Sequence, residues 1–535
     1  MRRYRLFLFT LVFAVLLPAC GSNDSMPPPP PAPPTKPGSS DLTVSGKAFY
    51  EDKGYDETGF TGQMTLLPIR HAVIELISTD TKLPIASGIT GEDGAYEFKS
   101  INNSSRNGGV YVQVVAENVG TSTSPAKVFK SEANQSLIVA RSPIDLDDSV
   151  SNLFSPVNIT APADGNGVGG AFNILDLFLK GGAFIKKAGF CPNNLLTTEC
   201  IAPRVTVFWE PKGTALGGGS SYNSNPHRIY IHGGGAQQTD TDEYDDTVIV
   251  HEYGHFVATE FSNDNSPGGS HFLTDNTQDI RLSWSEGWAT FFGSAVLGSP
   301  LYVDTMASGN GFSFNIDSPK SAQIYTTNEV SVSSVLWRTM NQISPTTNTP
   351  IGFFPIWKAF TEMTTTNLTI EQFAELFMSQ NAPEKAVFQS VLQERKIEHF
   401  PDSKETDGEI PLVVGGGQHH TLYREGVGGP FNDEDAITFS VTSGITYTIK
   451  TENLTNGADT FLTLDTPSMS NDNANGASYS STCDTCPKND TTMLASQITF
   501  MATTGGTQTV KVKRSPAAPP SAGRAGSYDI RLTSP

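Results

Sequence analysis

The stretch DDTVIVHEYGHFV, residues 245–257, decides how the rest of the chain is read. Val248, Ile249, Val250, Phe256 and Val257 flank His251-Glu252-Tyr253-Gly254-His255, a pattern that suits a buried helix. On a helix, positions four apart lie about 40° from one another, so both imidazoles leave one face and can reach a single ion. Glu252 stands beside them, where a carboxylate can take a proton from water. These are the donor types and the spacing of a zinc hydrolase helix. With 9 histidines and 55 acidic residues among 535, chance alone yields the pattern in fewer than roughly 2% of such chains. Two unrelated core histidines are therefore the weaker reading.

Hydrolytic zinc takes three protein ligands and leaves a fourth position for water. A third histidine ten residues after the first is excluded, because Ala258 and Phe261 stand where that pattern needs glycine and histidine. Glu260 falls about 180° round the helix from His251 and cannot join it. The better candidate is Glu286, inside Leu282-Ser283-Trp284-Ser285-Glu286-Gly287-Trp288-Ala289-Thr290-Phe291-Phe292, which reads as a second helix. Together, DDTVIVHEYGHFV and SEGWATFF resemble the gluzincin zinc metallopeptidases, most of all the thermolysin and fungalysin branches. The resemblance implies His251, His255 and Glu286 as ligands of Zn2+ and Glu252 as general base. This chain departs from those families twice. Thr290 stands where they have an aspartate that supports a zinc histidine. Residues 324–340 contain no histidine where they have one, so transition-state stabilisation falls to Tyr325 or His271.

Working outward, RVTVFWEP (204–211) and HRIYIHGG (227–234) alternate as strands, and FNILDLFLKGGAFIKKAG (172–189) has helical spacing. In thermolysin-like folds the strand before the zinc helix is the sheet edge that pairs with extended substrate. His227 and His232 are expected to be solvated or structural, with a place in the cleft as the alternative. The acidic run Asp240, Asp242, Glu243, Asp245 and Asp246 reads as a solvated loop that caps the helix through Asp245 or Asp246; its alternative is a Ca2+ site.

Both flanks carry short alternating strands divided by turn residues. Val44-Ser45-Gly46, Ile69, AVIEL (72–76) and TGEDGAYEF (90–98) resemble the carboxypeptidase regulatory-like, or transthyretin-like, sandwich. Asp433-Glu434-Asp435, Gly444, Tyr447, Asp459-Thr460, Asn473 and YDIRL (528–532) resemble the bacterial pre-peptidase C-terminal domain. That family accompanies secreted peptidases. The expected fold class is thus multidomain: an α+β zinc-peptidase domain at 160–400, flanked by all-β sandwich domains at 41–145 and 405–535.

The first residues place the chain outside the cytoplasm. Arg2, Arg3 and Arg5 precede an apolar run from Leu6 to Leu17, then Pro18-Ala19-Cys20. This resembles the lipobox of bacterial lipoproteins and implies a signal peptide at 1–19, an acylated Cys20 and a bacterial envelope location, at the outer membrane or cell surface. Residues 20–40, with MPPPPPAPP, read as a stiff tether. Setting Cys20 aside leaves four cysteines in two local pairs, Cys191 with Cys200 and Cys483 with Cys486, expected as disulfides in an oxidising compartment. A net charge of −20 repels phosphates, so nucleic acid is dropped as a partner. The expected partners are a protein or peptide substrate and the membrane that holds the lipid. The competing class is a non-catalytic surface adhesion or carbohydrate-binding lipoprotein with a vestigial peptidase domain. Intact His251, Glu252, His255 and Glu286 argue against such decay.

Overall fold

The computed structural model describes residues 41–102, 108–118, 125–148, 150–188, 202–215, 218–235, 240–276, 278–306, 311–345, 351–363, 368–397, 411–422, 434–454, 459–472, 495–515 and 526–535. Cys20, Cys191, Cys200, Cys483 and Cys486 lie outside them, as does the leader. Among the described residues the chain is sheet-rich, with seven helices.

Ten strands precede the first helix: β1 (Leu42–Asp56), β2 (Gly59–Pro68), β3 (Ala72–Ser78), β4 (Pro84–Ile89), β5 (Ala95–Ile101), β6 (Val110–Asn118), β7 (Ala126–Phe129), β8 (Val139–Arg141), β9 (Leu153–Phe154) and β10 (Ile159–Ala161). Helix α1 (Gly169–Ala188) follows, then β11 (Val205–Phe208), β12 (Ser221–Ser224) and β13 (His227–Tyr230). The centre of the chain holds α2 (Asp246–Phe261), α3 (Ile280–Leu297) and the hairpin β14 (Leu301–Asp304) and β15 (Phe312–Asn315). Four more helices close it: α4 (Glu329–Ile343), α5 (Phe353–Thr361), α6 (Ile370–Gln380) and α7 (Lys385–Glu394).

A separate sandwich at 41–145 is not how the sheet runs. One sheet has the order β12-β13-β11-β7-β6-β3-β4, with β8 beside β6, and so joins strands from both expected domains. The joint is the parallel pairing of β11 with β7, which sets Val207 opposite Val128. Its cause is burial. Val205, Val207 and Phe208 are all inside, and such a strand is covered on both faces and paired on both edges. Helix α1 also ties the N-terminal strands to the rest: Arg70, before β3, meets Asp176 of α1 at 2.5 Å. A single hydrophobic core accordingly extends from Leu42 to Ile397. The sheet edge also differs from expectation. The polar strand β12 is outermost, and β13, the HRIYIHGG strand, is interior.

The C-terminal part has its own core. Its strands are β16 (Gly417–Leu422), β17 (Glu434–Val441), β18 (Thr446–Glu452), β19 (Thr460–Leu464), β20 (Met469–Asn471), β21 (Gln497–Met501), β22 (Gly506–Arg514) and β23 (Gly526–Thr533). They form two four-stranded sheets, β16-β23-β18-β21 and β17-β22-β19-β20. This agrees with the expected all-β region after 405. No helix among the described residues is long and apolar enough to cross a membrane.

Helices α2 and α3 are nearly buried all round, which is why Tyr253 and Phe256 on α2 and Trp284, Trp288, Phe291 and Phe292 on α3 stand beside polar residues. Their contact requires glycine at one point. A Cβ on Gly254 would lie 2.9 Å from the Ala289 Cα, so backbone meets backbone there. Gly254→Ala is expected to destabilise the fold by about 1–3 kcal/mol despite alanine's better helix propensity, because neither helix can withdraw without uncovering the core. Denaturant unfolding measures this; unchanged stability would mean the two helices yield freely.

Candidate metal centre

Helix α2 begins without the expected cap. Asp245 occupies the cap position, but its carboxylate accepts from the Thr305 N–H at 2.7 Å and the Thr305 hydroxyl at 2.8 Å. Asp246 instead accepts from the Asn173 amide at 3.2 Å. The acidic run is therefore not a solvated loop: Asp242, Glu243 and Asp245 are buried. A tertiary partner 60 residues away has taken the carboxylate that the local pattern assigned to the helix end.

The predicted ligands converge. His255 Nε2 lies 3.1 Å from His251 Nε2, and each lies 3.2 Å from Glu286 Oε2. For ligand bonds near 2.0–2.1 Å, tetrahedral geometry separates donor atoms by about 3.3 Å. The triangle has the size and donor set of a zinc site. Glu286 reaches it because α3 packs against α2 at the Gly254 contact.

Each imidazole is oriented from behind. His251 Nδ1 lies 3.1 Å from Thr290 Oγ1, so Thr290 occupies the supporting position that the sequence suggested. His255 Nδ1 lies 3.3 Å from Ser285 Oγ, which in turn donates to Asp264 at 2.9 Å. Sequence reasoning missed Ser285 and Asp264. Ser285 adjoins the glutamate ligand in sequence, a signal that was available; Asp264, in the loop after α2, offered none.

Glu252 is buried, and burial raises its carboxyl above the ordinary range, partly offset by the neighbouring histidines. His271 joins the site from the loop between α2 and α3: its Nε2 lies 3.6 Å from Glu286 Oε2, and its Nδ1 lies 2.8 Å from Glu329 Oε2. Burial opposes its protonation, but the hydrogen bond to Glu329 and the charge of Glu286 raise it to about 9. Burial opposes His255 likewise, and Glu286 prevails there too, at about 9. Glu286 is held well below its usual value: burial acts against ionisation, and the two histidines outweigh it. Tyr325 is buried in the turn before α4 at φ 76°, where its N–H donates to the Arg395 carbonyl. Tyr302 of β14, not foreseen, sets its ring 6.0 Å from that of His251.

His227 and His232 take structural partners instead. His227 Nδ1 meets the Tyr222 hydroxyl at 2.8 Å and Glu260 at 3.1 Å, and the buried His232 accepts from the Ala215 N–H at 3.2 Å. This pairing also accounts for Glu260, which faces away from the metal cluster.

Among curated proteins the chain is similar to an uncharacterized protein of Archaeoglobus fulgidus, 32% identical over 95 residues, which are 17% of this chain and 26% of that protein. The chain thus spans about a quarter of that relative. Among solved structures it is similar to the pre-peptidase C-terminal domain of a collagenase from Bacillus anthracis, at 14% identity and TM-score 0.14 over 24% of this chain and 99% of that one. It is also similar to PliG of Aeromonas hydrophila, a periplasmic inhibitor of g-type lysozyme, at 16% identity and TM-score 0.12 over 23% of this chain and 96% of that one. Residues 193–387, which carry His251, Glu252, His255, His271 and Glu286, match the family described as the Mycolysin C-terminal domain, and by that likeness the chain is peptidase-related.

Proposed function

We propose that the chain is a zinc-dependent peptidase of the gluzincin type, acting on protein or peptide substrates outside the cytoplasm. The observation that carries this reading is the triangle of His251 Nε2, His255 Nε2 and Glu286 Oε2, with edges of 3.1–3.2 Å, beside the buried Glu252. Zinc bound by those three residues supplies Lewis acidity, which polarises a scissile carbonyl and eases deprotonation of water. Glu252 is not one of the three donors, so its carboxylate is free to accept the proton of the attacking water and to pass it to the leaving amine. Its raised pKa suits both halves of that exchange. His271 is the better placed of the two candidates for the developing oxyanion. Glu329 accepts from its Nδ1–H and, with Glu286, favours the imidazolium, whose Nε2–H is left to donate toward the reacting carbonyl. Strand β12, whose Tyr222 packs against Phe256 of α2, is the sheet edge among the described residues and so the strand against which an extended peptide would pair.

The test is metal analysis of the purified protein together with hydrolysis of an unfolded protein, with and without chelator. Stoichiometric zinc and chelator-sensitive cleavage support the reading. Zinc-free, inactive parent protein that binds a surface ligand regardless of chelator favours the adhesion alternative.

Location is part of the same proposal: the Arg-rich leader and Cys20 support a lipid anchor in a bacterial envelope. Labelled fatty acid is expected in the parent and absent from Cys20→Ala. Label retained by that variant removes the anchor.

A further inference from the structure

Three aspartates come together away from the histidine cluster. Asp242 lies in the short turn Asp242–Tyr244 that leads into α2, Asp240 lies two residues before it, and Asp304 ends β14. One carboxylate oxygen from each lies within 4.8 Å of the other two. The Asp242 side chain is 4% exposed. Its Oδ2 accepts from the Ser220 hydroxyl at 2.5 Å, but its Oδ1 is buried with no hydrogen-bond partner among the described residues. The Oδ1 atoms of Asp240 and Asp304 are buried and unpartnered in the same way. Lys53, the cation whose charge reaches neighbouring Glu243, is paired with Asp164 at 3.1 Å.

Three converging carboxylates with no paired cation among the described residues are unstable as they stand, since each anion loses hydration and repels the others. The effect falls on Asp304, whose carboxyl is raised to about 7, first by burial and then by the charge of Asp240. Either protons or a cation can relieve it. The donor set selects the kind of cation, for it contains oxygen alone and no imidazole or thiolate. Magnesium keeps most of its water and takes one or two carboxylates in strict octahedral geometry, whereas calcium accepts several carboxylates in irregular arrangements.

We propose that Asp240, Asp242 and Asp304 bind one calcium ion, which fastens the approach to the histidine-bearing helix α2 to strand β14. The clasp closes a contact already half made. The Val303 N–H donates to the Thr247 hydroxyl at 3.1 Å, and Thr305 donates to Asp245. Strand β14 also carries Tyr302, whose ring stands against His251, so the ion holds one wall of the histidine cluster. The ion's oxygen donors and the zinc donors share no residue.

The experiment uses the full chain, loaded with zinc, in calcium-free buffer, and titrates calcium chloride by calorimetry alongside thermal unfolding. One calcium per chain is expected, with magnesium binding more weakly and calcium raising the Tm. Asp304→Asn removes one negative ligand and is expected to weaken calcium on the order of tenfold or more. The same change relieves repulsion, so Asp304→Asn is expected to melt above the parent without calcium and below it with saturating calcium. That reversal separates a cation site from a merely packed aspartate. If Asp304→Asn does not fold, Asp240→Asn serves, because Asp240 lies outside helix and strand whereas Asp304 ends β14. No heat and no Tm change in the parent up to about 10 mM calcium, ten times the weakest affinities of extracellular calcium modules, overturns the proposal. Tighter binding of magnesium, or calcium binding by Asp304→Asn equal to the parent, overturns it as well. None of these readouts depends on peptide hydrolysis.

Discussion

Glu252→Gln is expected to keep zinc at full stoichiometry and to lose peptide hydrolysis by on the order of 10²–10⁴-fold in kcat. The two halves of this result have separate causes. On the proposed ligand set zinc stays, because an amide at residue 252 disturbs none of the distances among His251, His255 and Glu286. Turnover goes because the amide cannot accept a proton from water, and burial leaves little room for solvent to substitute. A loss confined to kcat, with KM little changed, marks an interaction made in the transition state. His271→Ala should also keep zinc and lose less, roughly 10²–10³-fold, the range for removing one oxyanion donor. Equal hydrolysis by parent and Glu252→Gln would take Glu252 out of the mechanism. Hydrolysis by the parent that survives zinc removal would take out the metal.

Glu286→Ala is expected to abolish stoichiometric zinc, and with it hydrolysis. Losing a hydrogen-bond partner behind a ligand typically weakens a metal by roughly 10–100-fold, and Thr290→Val should fall in that range. Losing a ligand itself removes one of three protein donors and one negative charge, so the deficit is larger. The geometry indicates why no neighbour replaces it. Glu286 Oε2 is the atom that both His251 and His255 approach at 3.2 Å, and α3 holds it rigidly through the backbone contact at Gly254. His271 stands 3.6 Å from that oxygen, but Glu329 holds it by its other nitrogen. Metal analysis after dialysis decides the point. Full zinc retention by Glu286→Ala would show the third ligand to be another group, with His271 the first to examine.

The legible part of this site lies within a few helical turns. His251 and His255 leave one face of one helix with Glu252 beside them, and helical spacing alone brings the two imidazoles together. Glu286 was reachable because its own segment reads as a second helix, and Thr290 follows from it by one further turn. Beyond that range the reading failed in a consistent way. Asp245 looked like a helix cap because carboxylates before a helix usually serve as one, yet Thr305 holds it. The HRIYIHGG strand looked like the sheet edge because β12, with the polar sequence SYNS, gave no hydrophobic signal. The regulatory-like sandwich looked self-contained because alternation reports that a strand is half-buried without naming its neighbour.

What the sequence by itself determined is therefore the chemistry of the first contact layer: which residues can hold a metal, and which carboxylate stands free of it. The covalent chain places these residues, since the helix repeat is a property of backbone dihedrals and acts over one or two turns. Tertiary structure alone decided the layer behind. It joined β7 to β11, set Ser285 and Asp264 behind His255, delivered Glu329 to His271 across 58 residues, and carried Asp304 to Asp240 and Asp242. Such meetings depend on how helices and strands pack around one core, where the burial of Trp288, Phe291 and Phe292 sets the position of every polar group attached to the same helix.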